Sequence, residues 1–103
     1  MTSQKNNLLD SLGFATTPRS RLADSVMARG VLEMPNGLTI VAIASFNEYP
    51  EWSVRLFSGY DCRLFDSPDS EADLPSLVEE IKLKAEGMRG PSDDATGNFE
   101  YFP

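Results

Sequence analysis

The chain predicts an α+β fold: a small antiparallel β-meander of three to four strands carrying an N-terminal and a C-terminal helix, in the order α-β-β-β-β-α. Short apolar stretches between residues 31 and 65 are broken by Pro, Gly, Asn and Asp at intervals that suit hairpins. From Leu74 to Met88 the apolar residues instead recur at helical spacing. A length of 103 residues, 41% of them hydrophobic, suits one core. The expected organisation is a flexible N-terminal segment (1–16), a single α+β domain (17–90) and an acidic, aromatic C-terminal tail (91–103).

Within the first segment, Asn7 to Leu12 suits a short helical turn closed by Gly13. The N-terminal helix proper is expected from Pro18 to Arg29. Thr17 can cap it, Pro18 loses nothing in the first turn for want of an N–H, and Leu22, Val26 and Met27 share a side. Gly30 reads as the helix stop, with Arg29 beside the negative end of the dipole. Val31–Met34 is strand-like, and Pro35-Asn36-Gly37 reverses the chain. Leu38–Phe46 is apolar on both faces, as in a central strand covered on each side. After a turn through 47–51, Trp52–Ser58 alternates, with Trp52, Val54 and Leu56 expected to face the C-terminal helix. Gly59-Tyr60-Asp61 turns into a fourth strand, Cys62–Phe65. Asp73 or Leu74 caps the last helix and Pro75 sits in its first turn. Leu74, Leu77, Val78, Ile81, Ala85 and Met88 form its buried side, while Glu79–Lys82 and Glu80–Lys84 pair on the outside.

Composition narrows the chemistry. Histidine is absent, which removes the commonest general base and the commonest metal ligand. One cysteine without histidine builds neither a zinc site nor a Cys–His nucleophile. Cys62 has no disulfide partner and reads as a small buried strand residue. The glycines match neither a P-loop nor a dinucleotide fingerprint, so no cofactor is expected. The longest apolar run, Ile40–Ala44, is far short of the roughly 20 residues of a membrane span. The N-terminus lacks the features of a secretory signal, and a cytoplasmic location is expected.

Charge is distributed unevenly. Residues 1–60 are neutral, and the whole net charge of −7 falls in residues 61–103. Such an acidic part repels nucleic acid and anionic lipid and attracts basic surfaces. Arg19, Arg21 and Arg29, interrupted by Asp24, make a weak nucleic-acid footprint and are assigned to solvating the first helix.

The acidic stretch 66–73 is the main candidate site. Asp69, Glu71 and Asp73 alternate and Glu80 lies eleven residues after Asp69, which imitates a calcium loop. Leu74 stands where that loop needs glycine, and Pro75 follows, so no metal is expected. A solvated loop leading into a helix is the simpler role, with Asp73 at the helix start. The functional role is a negative ridge of Asp66, Asp69, Glu71, Asp73, Glu79 and Glu80 offered to a cationic partner. Beside it, Phe57 and Phe65, with Tyr60 at the rim, make an aromatic patch on the second sheet face. That patch is either an interface or is covered by the first helix. Carboxylates crowded in an exposed loop, on a meander with little concave volume, argue against catalysis. The tail motif Asn98–Pro103 (NFEYFP) is a candidate docking peptide or a strand that adds to a sheet edge, set equally against the simpler role of a disordered end.

The expected function is therefore a non-enzymatic acidic binding module, an inhibitor or adaptor covering a basic, nucleic-acid-binding surface of another protein. Direct contact with nucleic acid or membrane is not expected. The profile is shared by anti-defence proteins of phages and mobile elements, such as anti-CRISPR proteins and DNA mimics. Toxin-immunity proteins and adaptor domains share it equally, and the likeness covers no aligned residues. The alternative is a homodimer or immunity protein pairing through an open sheet face.

Overall fold

A computed structural model describes residues 4–46 and 48–88; the tail expected over 91–103 lies outside the described residues. Five antiparallel strands form one open sheet in sequential order: β1 (Ala15–Thr16), β2 (Val26–Glu33), β3 (Thr39–Ser45), β4 (Trp52–Ser58) and β5 (Asp61–Asp66). Helix α1 (Gln4–Ser11) precedes the sheet and α2 (Leu74–Glu86) follows it. The α+β class and the element order are those the sequence predicts, with the two-residue β1 as an additional strand.

The first helix lies earlier than expected. Residues 4–16, read from the sequence as a flexible lead, form α1 and β1, and Leu9 and Phe14 are buried in the core. The glycine stop at residue 13 explains why. Gly13 takes a positive φ of 91°, its N–H donates to Asp10 O, and the Phe14 N–H reaches back to Leu9 O at 3.0 Å. This is the paired-bond ending of a helix, with its apolar contact between Leu9 and Phe14. It swings Phe14 down onto the sheet.

The helix expected over Pro18–Arg29 does not form. Pro18 is extended, Arg19–Arg21 make one 3₁₀ turn, and β2 already begins at Val26. Arg19 and Arg21 therefore sit on that turn and Arg29 on a strand, not on a helix face. Thr17 caps nothing; its N–H donates to Arg29 O, and its hydroxyl accepts from the Arg29 guanidinium at 3.1 Å. Pairing along β3 from Val26↔Ser45 to Glu33↔Thr39 satisfies backbone groups that a thin apolar stripe could not have sheltered in a helix.

Both helices cover the same sheet face. The register aligns Ala28, Ala44 and Trp52 in one row, Gly30, Ala42 and Val54 in the next, and Leu32, Ile40, Leu56 and Leu64 in a third. Leu9 and Phe14 press on Gly30, and α2 packs on β4 with Leu74, Leu77, Val78, Ile81 and Ala85 buried. Trp52, Val54 and Leu56 face inward as predicted, at 1% exposure or less. Asn36 ties the two ends of this layer together. Its amide donates to the Ala85 and Met88 carbonyls at the end of α2, while its Oδ1 accepts the Leu38 N–H.

The opposite face has no second layer among the described residues. β3 is central, but its outer side is sheltered by long neighbouring side chains: Val41 is 7% exposed, in a row with Arg55 and Phe65. A register shift between Leu56 and Phe57 leaves Arg63 as an extra residue in β5 and pairs Cys62 with Phe57. Cys62 is consequently exposed on an edge strand rather than buried.

Candidate functional site

Three segments meet at one end of the sheet: the β3–β4 turn, the loop from β5 to α2, and the start of α1. Lys5 is the junction. Its ammonium lies 2.6 Å from Glu51 and 2.8 Å from Glu71, and 5.7 Å from the centre of the Trp52 ring. Glu71 Oε2 also accepts the Trp52 indole N–H at 2.9 Å. Hydrogen bonds from Lys5 and then Trp52 hold the Glu71 carboxyl below the ordinary glutamate range, although burial acts the other way. Burial alone would lower the Lys5 pKa, but the hydrogen bonds and charges of Glu51 and Glu71 outweigh it and the net shift is upward.

Around this junction the acids form a band. Asp69, Asp73 and Glu80 line a shallow groove of about 290 Å³ with Pro68, Ser76 and Leu77. Asp69 also borders a second cleft of about 450 Å³, which holds Lys5, Glu51, Glu71 and Tyr49. The two clefts adjoin, sharing Pro68 and Asp69 in their walls. Asp66 lies just before them. It pairs across the sheet with Val54, so its side chain lies on the helix side, and it accepts the Ser67 N–H at 2.9 Å. Tyr49 stands at the margin, 89% exposed.

The structure thus brings together Asp66, Asp69, Glu71, Asp73 and Glu80, all exposed, on the helix side of one end. It changes the state of several. Glu71 is engaged by Lys5 and Trp52 and is a clasp before it is a ridge. Asp73 occupies the position before α2, but its side chain makes no capping hydrogen bond and instead accepts from Ser70 Oγ at 3.3 Å. Glu79 and Glu80 pair with Lys82 and Lys84 at 3.3 and 3.5 Å, as their spacing predicts. Exposed pairs of this kind are weak and exchange readily for a better partner.

The aromatic patch is not beside the acids. Strand alternation puts Phe57 and Phe65 on the uncovered face, while Tyr60 is fully exposed in the β4–β5 turn at the far end. The aromatic that does adjoin the acidic band is Tyr49, which sequence reading placed in a turn and passed over. Glu51 and Lys5 were missed too. Only the pairing of α1 with the far loop connects them, and no local pattern encodes a contact 66 residues apart.

Among the described residues no three carboxylates or thiols stand close enough to hold a metal ion. No helix of the described residues is long and apolar enough to cross a membrane. A third cleft, of about 500 Å³, lies between Arg19, Met27, Phe46 and α1, with Arg19 stacked 5.9 Å from the Phe46 ring centre and donating to the Val26 and Met27 carbonyls. No family model matches the chain, and no curated protein or solved structure is detectably similar to it.

Proposed function

We propose that this chain is a non-enzymatic protein-binding module, an inhibitor or adaptor whose acidic end covers a basic surface of a partner protein. The observation that carries the reading is the groove lined by Asp69, Asp73 and Glu80 together with Pro68 and Leu77, with Tyr49 in the adjoining cleft that shares Asp69. Carboxylates set round an apolar floor suit lysine or arginine side chains, whose stems pack while their charges pair. An exposed tyrosine at the rim supplies an amphipathic anchor at low entropic cost. Complementary charge of this kind acts mainly on the association rate, which then falls as salt rises. A surface that normally meets nucleic-acid phosphates offers the matching cations.

The test is affinity capture from source cells by the wild-type chain and by the triple variant Asp69→Lys/Asp73→Lys/Glu80→Lys. Retention of a basic protein by wild type alone, with association slowed by salt, supports the reading. Equal retention by both proteins, with equal rates at low salt, overturns it.

A further inference from the structure

We propose that the uncovered sheet face is the docking site of this chain's own C-terminal segment, residues 90–103, folded back in cis. Its chemistry differs from the rest of the molecule. Val31, Val41, Arg55 and Phe65 form one cross-strand row, flanked by Arg29 and Ile43 on one side and Phe57 on the other. Phe65 remains 59% exposed. In a chain of net charge −7, this face carries Arg29 and Arg55 beside Glu33. Neither arginine makes an ion pair among the described residues. Arg55 stacks 4.8 Å from the Phe65 ring centre, and its Nε is buried with no hydrogen-bond partner. An apolar face with uncompensated guanidinium groups selects an occupant that is both aromatic and acidic.

Residues 90–103 have that composition. They contain Asp93, Asp94 and Glu100 with Phe99, Tyr101 and Phe102, and no lysine or arginine. Geometry allows the return. The last described residue, Met88, is held by Asn36 in the β2–β3 turn, at the end of the sheet where Phe57 and Cys62 also lie. From Asn36 to the Val41 row is five residues along the strand, roughly 17 Å. The ten residues from Arg89 to Asn98 reach roughly 33 Å when extended, enough to round the sheet end and set Phe99 on that row. A second copy stacked face to face would instead add a further set of arginines, with only its own Glu33 to offset them. The docked segment would bury the rings on Phe65 and Val41 and set Glu100 near Arg55. The face on which an open-sheet dimer would form is then occupied.

The lone cysteine supplies the probe. Cys62 is exposed and pairs with Phe57 on this face, so a nitroxide attached there reports on whatever lies over it. In the isotope-labelled full chain, amide signals of Phe99–Phe102 should be strongly broadened, at every protein concentration. Changing Phe99 and Phe102 together to serine should remove most of that broadening and shift the Val31, Val41 and Ile43 signals. This double variant leaves every core residue intact, and Arg55→Gln provides a second, milder release of the segment. Broadening that is equal in the serine variant, or open-face signals unmoved by it, overturns the proposal. So does broadening that arises only between molecules when spin-labelled chains are mixed with isotope-labelled Cys62→Ser chains, which would assign the face to a second copy.

Discussion

Replacing Gly30 by alanine sets two effects of opposite sign against each other. Gly30 lies inside β2 and is not one of the positive-φ glycines, so its backbone is one that alanine adopts. At such a site, Gly→Ala alone should stabilise by about 0.4–1 kcal/mol through the unfolded chain. The added methyl, however, would lie 2.8 Å from Phe14 Cβ and 3.2–3.3 Å from the two Leu9 methyls. Leu9 can turn aside a little, but Phe14 Cβ is fixed to the backbone, so the segment after α1 must lift from the sheet. Overpacking of this kind costs about 1–3 kcal/mol. The net expectation is a loss of about 1–2 kcal/mol, and a domain of this size loses roughly 4–8 °C in Tm per kcal/mol. Urea and thermal unfolding followed by circular dichroism measure it. A variant as stable as wild type, or more so, would refute the packing of Leu9 and Phe14 on β2. Gly59 serves as the control. Its methyl would meet nothing within 4 Å, so Gly59→Ala should cost only the strain of φ +63°, about 1–2 kcal/mol.

Further outcomes follow from the clasp and the groove. Glu71→Ala strands the buried Trp52 indole N–H and should cost about 1–3 kcal/mol, whereas Glu71→Gln keeps an acceptor and should cost under about 1 kcal/mol; equal losses in urea unfolding would contradict the Trp52 bond. Because the Glu71 pKa is lowered in the fold, its contribution is complete above the ordinary value of 4.5 and fades as pH falls through the depressed one. The raised Lys5 pKa acts in the mirror sense, complete below 10.5 and lost as pH rises through the elevated value. Glu71→Gln should therefore flatten the acid side of a stability–pH curve, and an unchanged acid limb would count against the clasp. Asn36→Asp sets a carboxylate against the Ala85 and Met88 carbonyls and should destabilise more than Asn36→Ala, which loses about 0.5–1.5 kcal/mol per bond. Against a captured partner, Tyr49→Ala should raise the dissociation rate with little change in association, the reverse of the triple charge reversal.

Where sequence pattern and packing agree, the fold was legible. The apolar stripe of α2 is buried as its spacing requires, from Leu74 to Ala85, because a 3.6-residue period over four turns has one solution. Trp52, Val54 and Leu56 alternate with polar partners and point inward for the same kind of reason. The first half of β2 was hidden because its inward positions are Ala28 and Gly30, small residues that carry no hydrophobic alternation. They are small because Leu9 and Phe14 approach there, a constraint set by another element. The acidic stretch was visible as charge, yet its partition was not. Glu71 is claimed by Lys5, and Phe65 is separated from Asp66 by the alternation of a single strand.

The proposed function requires that one groove, and not acidity at large, recognises cations. Titrating the isotope-labelled chain with an arginine-rich peptide at low salt tests it residue by residue. Shifts should concentrate at Asp69, Ser70, Asp73, Ser76, Leu77 and Glu80, with Tyr49 alongside, and all should be reversed by added salt. Shifts spread evenly over exposed acids such as Asp10, Asp24 and Asp61, or no shifts at the groove, would contradict it.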